Sequence, residues 1–373
     1  MIPNINIPAC LRTAPDSITT PSVLLNKELL RKQCDTFLSY APRITTFYSV
    51  KANPVPELLQ EINRLGVGFE VSSQEELKVL LSEGIPVEKI ITSNPVKSNE
   101  FIHYAVENGI RRFVADSQNE LQKLAGLASN CEVIIRFITD NSESGWPLDE
   151  KFGAEPRDAL SLLLTAKQLG LNPSGLTFHV GSQCRGLSSW QNALETSVQI
   201  WNQIRLQGIV LKTLNLGGGF PAAHDLGVPS VPQIMDFILK FTETLFPNDV
   251  SLIVEPGRGL VGDTGILITS VIGKSYRQGK DWLYLDVGVF NGLMETVGGI
   301  SYSFTPTENS GGQTIKNWTL AGPSCDSFDI IGREIPLPDL LIGDKILIYP
   351  GGAYTSAYAS NFNGISIPKT YLV

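Results

Sequence analysis

No run of basic residues occurs anywhere in the chain. Its 37 acidic side chains outnumber 29 basic ones over 373 residues, for a formal charge of −8. A nucleic-acid partner is therefore not expected, because phosphate recognition needs a concentrated positive surface. Histidine is scarce, and His103, His179 and His224 lie too far apart for metal-ligand spacing, so no metal is expected. The five cysteines (Cys10, Cys34, Cys131, Cys184 and Cys325) are odd in number and show no close pairing, which suits free thiols in a reducing compartment. A long apolar run is missing too. The opening Met1-Ile2-Pro3-Asn4-Ile5-Asn6-Ile7-Pro8 has no positive segment leading into one. Neither a signal peptide nor a membrane span is expected, and the expected location is the cytoplasm. Solenoid repeats and low-complexity tracts are also absent.

What the chain does have is rhythm. Eight β-type runs (Thr45–Val50, Val67–Val71, Lys89–Asn94, Arg111–Asp116, Cys131–Phe137, Gly175–Gly181, Leu211–Gly217 and Ser251–Pro256) alternate with helical periods. The helical stretches include Gln74–Ser82, Asn99–Glu107, Gln118–Ala128, Arg157–Leu169, Ser189–Leu206 and Pro232–Leu245, and Lys27–Leu38 precedes the first strand. Ser73 with Glu76 and Ser117 with Glu120 have the spacing of capping boxes. Gly84, Gly109, Gly170 and Gly208 stand where helices should stop. This pattern predicts an α/β fold, a (β/α)8 barrel over residues 25–262. After about Gly262 the helical period disappears. Gly265–Val271, Trp282–Val287, Lys316–Ala321 and Lys345–Pro350 then read as strands of a second, mainly β domain made of residues 1–24 plus 263–373.

Barrel enzymes carry their chemistry at the C-terminal ends of the strands. Lys51 follows the first strand, and a lysine amine there is suited to a Schiff base with an aldehyde cofactor. His179 ends strand six, Gly217-Gly218-Gly219 ends strand seven, and Glu255-Pro256-Gly257-Arg258 ends strand eight. Taken singly, each has a plain reading: a solvated lysine, a satisfied histidine, a tight bend, a surface loop. Together they place glycine backbone and an arginine where barrels hold phosphate.

On these residues the chain resembles the pyridoxal phosphate (PLP)-dependent ornithine, lysine, arginine and diaminopimelate decarboxylases, closest to the ornithine and lysine branch. The matching segments are Tyr48-Ser49-Val50-Lys51-Ala52-Asn53, Gly68-Phe69-Glu70-Val71-Ser72-Ser73, Lys151-Phe152-Gly153, His179-Val180-Gly181-Ser182, Leu214 to Pro221, Glu255-Pro256-Gly257-Arg258, Gly322-Pro323-Ser324-Cys325-Asp326-Ser327, Gly352-Ala353-Tyr354-Thr355 and Asn361-Phe362-Asn363-Gly364. The resemblance implies an alanine-racemase-like barrel with a β domain, and a homodimer whose active sites are shared across the interface. Lys51 would carry PLP, His179 would stack on its ring, and Glu255 would bond the pyridine nitrogen. Ser182, Gly218, Gly219, Gly257, Arg258 and Tyr354 would hold the phosphate. Cys325, from the partner subunit, would return a proton to the α-carbon of an amino-acid substrate faced by Asp326 and Phe362. Arg136 and Glu76 match positions near the cofactor and read equally well as an internal ion pair. Asp286 reads as structural.

One departure concerns the substrate. Counted without gaps from Gly288-Val289-Phe290, the place where the family puts an acid for the distal amine falls at Gly298-Gly299. Glu295 stands about one helical turn away. A buried ammonium robbed of its anion binds worse by several kcal/mol, so a bulkier substrate from a specialised pathway is expected. The alternatives are an ordinary ornithine or lysine decarboxylase of polyamine synthesis and a non-catalytic, PLP-binding regulatory homologue. Glu255 speaks against a racemase, which on this barrel pairs the pyridine nitrogen with arginine.

Overall fold

Eight short strands, buried along most of their length, form one parallel sheet of the kind that is covered on both faces. They are Ile44–Ser49, Gly68–Val71, Ile90–Thr92, Arg112–Ala115, Glu132–Arg136, Asn172–Thr177, Thr213–Asn215 and Ser251–Val254. The computed structural model describes residues 7–12, 18–223, 227–307, 310–312 and 314–373. His224 and residues 1–6 and 13–17 of the expected N-terminal contribution to the β domain lie outside the described residues. In space the strand order is three, two, one, eight, seven, six, five, four. Strand one therefore sits between strand two, with Phe47 opposite Gly68, and strand eight, with Ile44 opposite Leu252. No ladder joins strands three and four. Across that seam the Thr92 hydroxyl donates to the Arg112 carbonyl at 3.2 Å. The result is a nearly closed (β/α)8 barrel.

Helices Gln74–Ser82, Asn99–Glu107, Gln118–Leu127, Pro156–Gln168, Ser188–Leu206 and Val231–Leu245 fall within a residue of expectation, and Lys27–Leu38 precedes strand one. The stop glycines Gly84, Gly109, Gly170 and Gly208 have φ of 73°, 93°, 76° and 73°, the left-handed turn that ends a helix. Pro56–Arg64 is an additional helix. It is short, and Asn53, Pro54 and Pro56 give its start the composition of a turn. Ser73 and Ser117 cap as expected, accepting the N–H of Glu76 at 3.2 Å and of Glu120 at 3.4 Å. Both boxes are corrected in one respect: the Glu76 carboxylate accepts the Ser72 N–H at 2.6 Å, and the Glu120 carboxylate pairs with Lys97 at 2.9 Å and Lys123 at 2.6 Å. Aromatic rings pack in sequence from Phe37 to Phe220 (5.2 Å between centroids), Trp190 (5.1 Å), Phe178 (6.3 Å) and Phe137 (5.7 Å).

The chain divides into two compact units. The barrel unit spans Gln33–Pro221 and Gly227–Gly259. The other unit, formed by the described residues of Met1–Lys32, Ala222–Leu226 and Leu260–Val373, is built on an eight-stranded, mainly antiparallel sheet. Six strands run in the order Ser303–Pro306, Lys345–Tyr349, Gly265–Arg277, Lys280–Leu285, Ile315–Ala321, Ile330–Pro338. Ser22–Leu25 pairs antiparallel with Gly265–Arg277 and parallel with Lys369–Leu372. Its core joins Leu24, Ile266, Ile268, Leu347 and Tyr349 with Ile7 and Leu11. Ser303–Pro306, Ile330–Pro338 and Lys369–Leu372 add to the strands expected here. Pro306, Gly332 and Pro336 interrupt two of them and mask their β-type pattern. No helix of the described residues is long and apolar enough to cross a membrane, and none of their acidic, histidine or cysteine side chains cluster as a metal site.

Candidate active site

Strand one delivers Lys51 to the rim. The strand ends at Ser49, whose N–H donates to the Pro256 carbonyl at 3.1 Å, and the chain turns through a single 3-10 turn, Val50–Ala52. Val50 and Ala52 are fully buried and fix the turn, while the Lys51 side chain stays 45% exposed. Its amine lies 3.9 Å from the buried Glu70 carboxylate. Glu70 is held in turn by the hydroxyls of Ser49 at 2.5 Å and Ser72 at 3.2 Å. A half-exposed amine beside a buried carboxylate is placed to react while its charge is steadied.

Opposite stands Glu255, buried after strand eight. Ser93 and Asn215 both donate to its Oε1, the latter at 2.6 Å. Both bonds fall on one oxygen, so the other remains for a donor from the rim. Burial first, then the Glu70 carboxylate, pushes Glu255 up to about 7, against the opposing effects of its two hydrogen bonds and Lys51. His179 is half-buried and accepts the Gly181 N–H on Nδ1 at 3.0 Å. Burial, followed by the cations Arg136 and Lys51, holds it well below the ordinary histidine value. The imidazole is therefore neutral.

The glycine turn is fitted to these groups. A Cβ on Gly218 would lie 2.9 Å from both His179 Nε2 and the Glu255 carbonyl oxygen. Gly219, at φ 98°, would bring a Cβ to 2.6 Å from Val180. Next to this turn, Arg258 is buried and its Nε donates to the Ser182 hydroxyl at 3.2 Å, with Gly257 buried beside it. Arg136 is also largely removed from water, and desolvation lowers its pKa. Its guanidinium faces the Phe152 ring at 5.5 Å and the Leu148 carbonyl at 3.4 Å. The suggested ion pair between Arg136 and Glu76 does not form. Glu76 turns away to accept the Ser72 N–H at 2.6 Å, and burial raises its pKa.

The barrel thus brings together Lys51, Arg136, His179, Ser182, Gly218, Gly219, Glu255, Gly257 and Arg258. The remaining expected residues belong to the other unit. There Cys325 is exposed, and Asn363 Oδ1 accepts both its N–H at 3.1 Å and its thiol at 3.2 Å. Asp326 is exposed beside it. Phe362 stacks obliquely on Phe290 at 4.7 Å, and Tyr354 stacks on Tyr358 at 5.6 Å. Glu295 is buried within a 3-10 turn, Met294–Gly298. Gly299 closes that turn at φ 90°, a position that favours glycine for its backbone as much as for its space. Asp286 accepts from the Thr269 hydroxyl and the Ser270 N–H, the structural task expected of it.

Several residues that shape the site carry no assignment from the sequence. Glu70 and Asn215 stand inside matched segments, and an acid within an otherwise apolar strand was the available signal for Glu70. Ser93 follows a strand end with nothing local to mark it. Asp329, buried in the other unit, accepts the N–H groups of Val289 at 2.7 Å and Ser324 at 3.0 Å, and so shapes the loop carrying Cys325.

Comparison with known proteins adds four findings. Residues 27–262 match the family model described as the pyridoxal binding domain of pyridoxal-dependent decarboxylases. A lysine/ornithine decarboxylase of Selenomonas ruminantium is 33% identical over 365 residues, covering 97% of this chain and 92% of that protein. The crystal structure of the lysine decarboxylase SrLDC, from the same organism, in complex with PLP and cadaverine matches with a TM-score of 0.88 at 33% identity, over 95% of this chain and 91% of that one. Antizyme inhibitor 2 of Xenopus laevis is 32% identical over 344 residues, 88% of this chain and 75% of that protein.

Proposed function

The chain belongs to the PLP-dependent ornithine, lysine and arginine decarboxylases and is a PLP-dependent amino-acid decarboxylase, and on that premise we propose that its substrate is bulkier than free ornithine or lysine. The observation carrying this reading is a turn that displays no acid: Gly298 and Gly299 are exposed, and Glu295, within the same turn, is buried. A free distal ammonium finds no anion displayed on that turn, whereas a substituted side chain has no such need. The substrate is accordingly a derivatised amino acid of a specialised biosynthetic route, handled in the cytoplasm as five free thiols suit.

The barrel residues fit PLP chemically. Lys51 offers an amine for its aldehyde, Glu255 keeps one oxygen open, and the tight glycine turn with Arg258 and Ser182 offers donors to a phosphate. When bound, PLP supplies an electron sink for the α-carbon as carbon dioxide departs. Lys51 would hold the cofactor covalently, neutral His179 would lie against its ring, and Glu255 would keep a proton on the pyridine nitrogen. Ser182, Gly218, Gly219, Gly257, Arg258 and Tyr354 would bind the phosphate, with Arg136 adding positive charge nearby. Cys325 would return a proton from Sγ to the α-carbon, and Asp326 and Phe362 would face the substrate. The domains are taken as residues 25–262 for the barrel and 1–24 plus 263–373 for the β domain.

A panel of ornithine, lysine, arginine, diaminopimelate and side-chain-acylated derivatives, scored by carbon dioxide release, tests the substrate. Turnover of a derivative with kcat/KM at least about tenfold above that for ornithine is expected, the scale of one unpaired charge or better. Efficient turnover of free ornithine or lysine points instead to a polyamine enzyme.

The active assembly is proposed to be a homodimer with shared sites. In support, Cys325 is exposed and the neighbouring Phe328 is 56% exposed, a face suited to cover by a partner. Mixing Lys51→Ala with Cys325→Ala protein, each inactive alone, should restore about a quarter of parent activity, since half the dimers are hybrids with one intact site of two. No recovery after verified subunit exchange contradicts the shared site.

A further inference from the structure

Lys97 occupies the barrel seam where strands three and four lack a ladder. Its side chain is fully buried. The ammonium donates to the carbonyls of Val114 at 2.6 Å, Asn94 at 2.9 Å and Pro95 at 3.4 Å, and meets Glu120 Oε1 at 2.9 Å. A buried ammonium is tolerated only when so surrounded, and removing it strands those oxygens together. Val114 belongs to strand four and Glu120 to the helix after it, whereas Asn94 and Pro95 belong to the loop leaving strand three. That loop begins with Ser93, whose hydroxyl donates to Glu255.

We infer that Lys97 is a positioning residue for Glu255: it clasps the loop after strand three to strand four, so that Ser93 stays on one carboxylate oxygen and the other remains free for the pyridine nitrogen. The inference rests on the reading of Glu255 as the partner of that nitrogen. The Thr92 hydroxyl joins the end of strand three to the Arg112 carbonyl of strand four, but no other described contact ties the Asn94 and Pro95 carbonyls to strand four, and no ladder runs there.

The test measures PLP affinity of the cofactor-free protein by equilibrium dialysis and the pH midpoint of bound-cofactor absorbance. Ser93→Ala should weaken PLP binding about tenfold or more, the scale of one hydrogen bond to a charged group, and displace the absorbance midpoint. Lys97→Met should do both to a similar extent. The double variant should be no worse than either single one, because residues acting through one contact are not additive. Additive losses overturn the inference, as does a Lys97→Met protein that melts earlier yet keeps the parent affinity and midpoint. Should Lys97→Met fail to fold, Glu120→Gln removes only its anionic partner. A several-fold affinity loss that vanishes in the Ser93→Ala background is then expected, and unchanged affinity overturns the clasp. Glu255→Gln separates the two levels: if it alters neither readout, the reading of Glu255 fails and the role of Lys97 falls with it. If it alters both while the Lys97 and Glu120 variants alter neither, only the clasp fails.

Discussion

Lys51→Ala reduces carbon dioxide release from every substrate to background, a loss on the order of 10³-fold or more, as expected when an essential covalent group is removed. The variant also loses the lysine-dependent absorbance of bound PLP. It should nevertheless fold. The Lys51 side chain is 45% exposed and sits on a turn fixed by its buried neighbours, so truncation opens no cavity. A thermal midpoint close to the parent's, measured by circular dichroism, separates lost chemistry from lost structure. Undiminished release by the variant refutes the assignment. The experiment also bears on kinship, because the chain is about as similar to an antizyme inhibitor as to decarboxylases. Parent protein that binds PLP but releases no carbon dioxide from any amino acid would place it with the regulators.

Glu255→Gln is expected to lower kcat roughly 10²- to 10³-fold, the usual cost of removing one electrostatic stabiliser from a preorganised site. It keeps the shape and the Ser93 and Asn215 contacts but cannot carry negative charge. The same substitution changes how the cofactor-free protein responds to pH. Glu255 titrates near 4.5 unfolded and at about 7 folded, so between those values the native chain holds a proton that the unfolded chain has released. Its contribution is present in full below about 4.5 and is lost as pH rises through 7. His179 acts in the opposite sense: kept neutral by burial, it withholds a proton that the unfolded chain takes up below about 6.5, and so costs stability as pH falls. Urea midpoints of parent and variant between pH 5 and 8 isolate the carboxylate. The difference between them should shrink toward acid and grow toward neutrality, with the variant the more stable at neutral pH. A constant offset contradicts this account.

The barrel was legible because its information is local. Apolar runs, serine caps and left-handed glycines each specify a neighbouring element, and their alternation leaves few topologies. Lys51, His179 and Glu255 were legible because each ends such a run. Ser93 and Lys97 were not, since their importance arises from a seam formed by strands distant from Glu255 in the chain. Glu120 shows the same limit. Its spacing from Ser117 suggests a capping box, but the buried Lys97 ammonium competes for its carboxylate and wins, because an unpaired buried charge costs more than a surface cap contributes. In the β domain two of the strands that escaped detection, Ser303–Pro306 and Ile330–Pro338, contain proline or glycine, while Lys369–Leu372 is short and held by a partner far away in sequence.

Strand order also bears on how the molecule is made. Strand one, which leads into the turn carrying Lys51, has strand eight as its neighbour, the last of the barrel strands to leave the ribosome. Throughout synthesis one edge of strand one waits without its pairing partner, and such edges invite adhesion to other chains. Closure must await long-range pairing, the slow kind of folding contact. A nascent chain arrested before Ser251 therefore carries the reactive lysine but neither the edge that completes the barrel nor Glu255, and should fail to retain PLP however long it is left to fold.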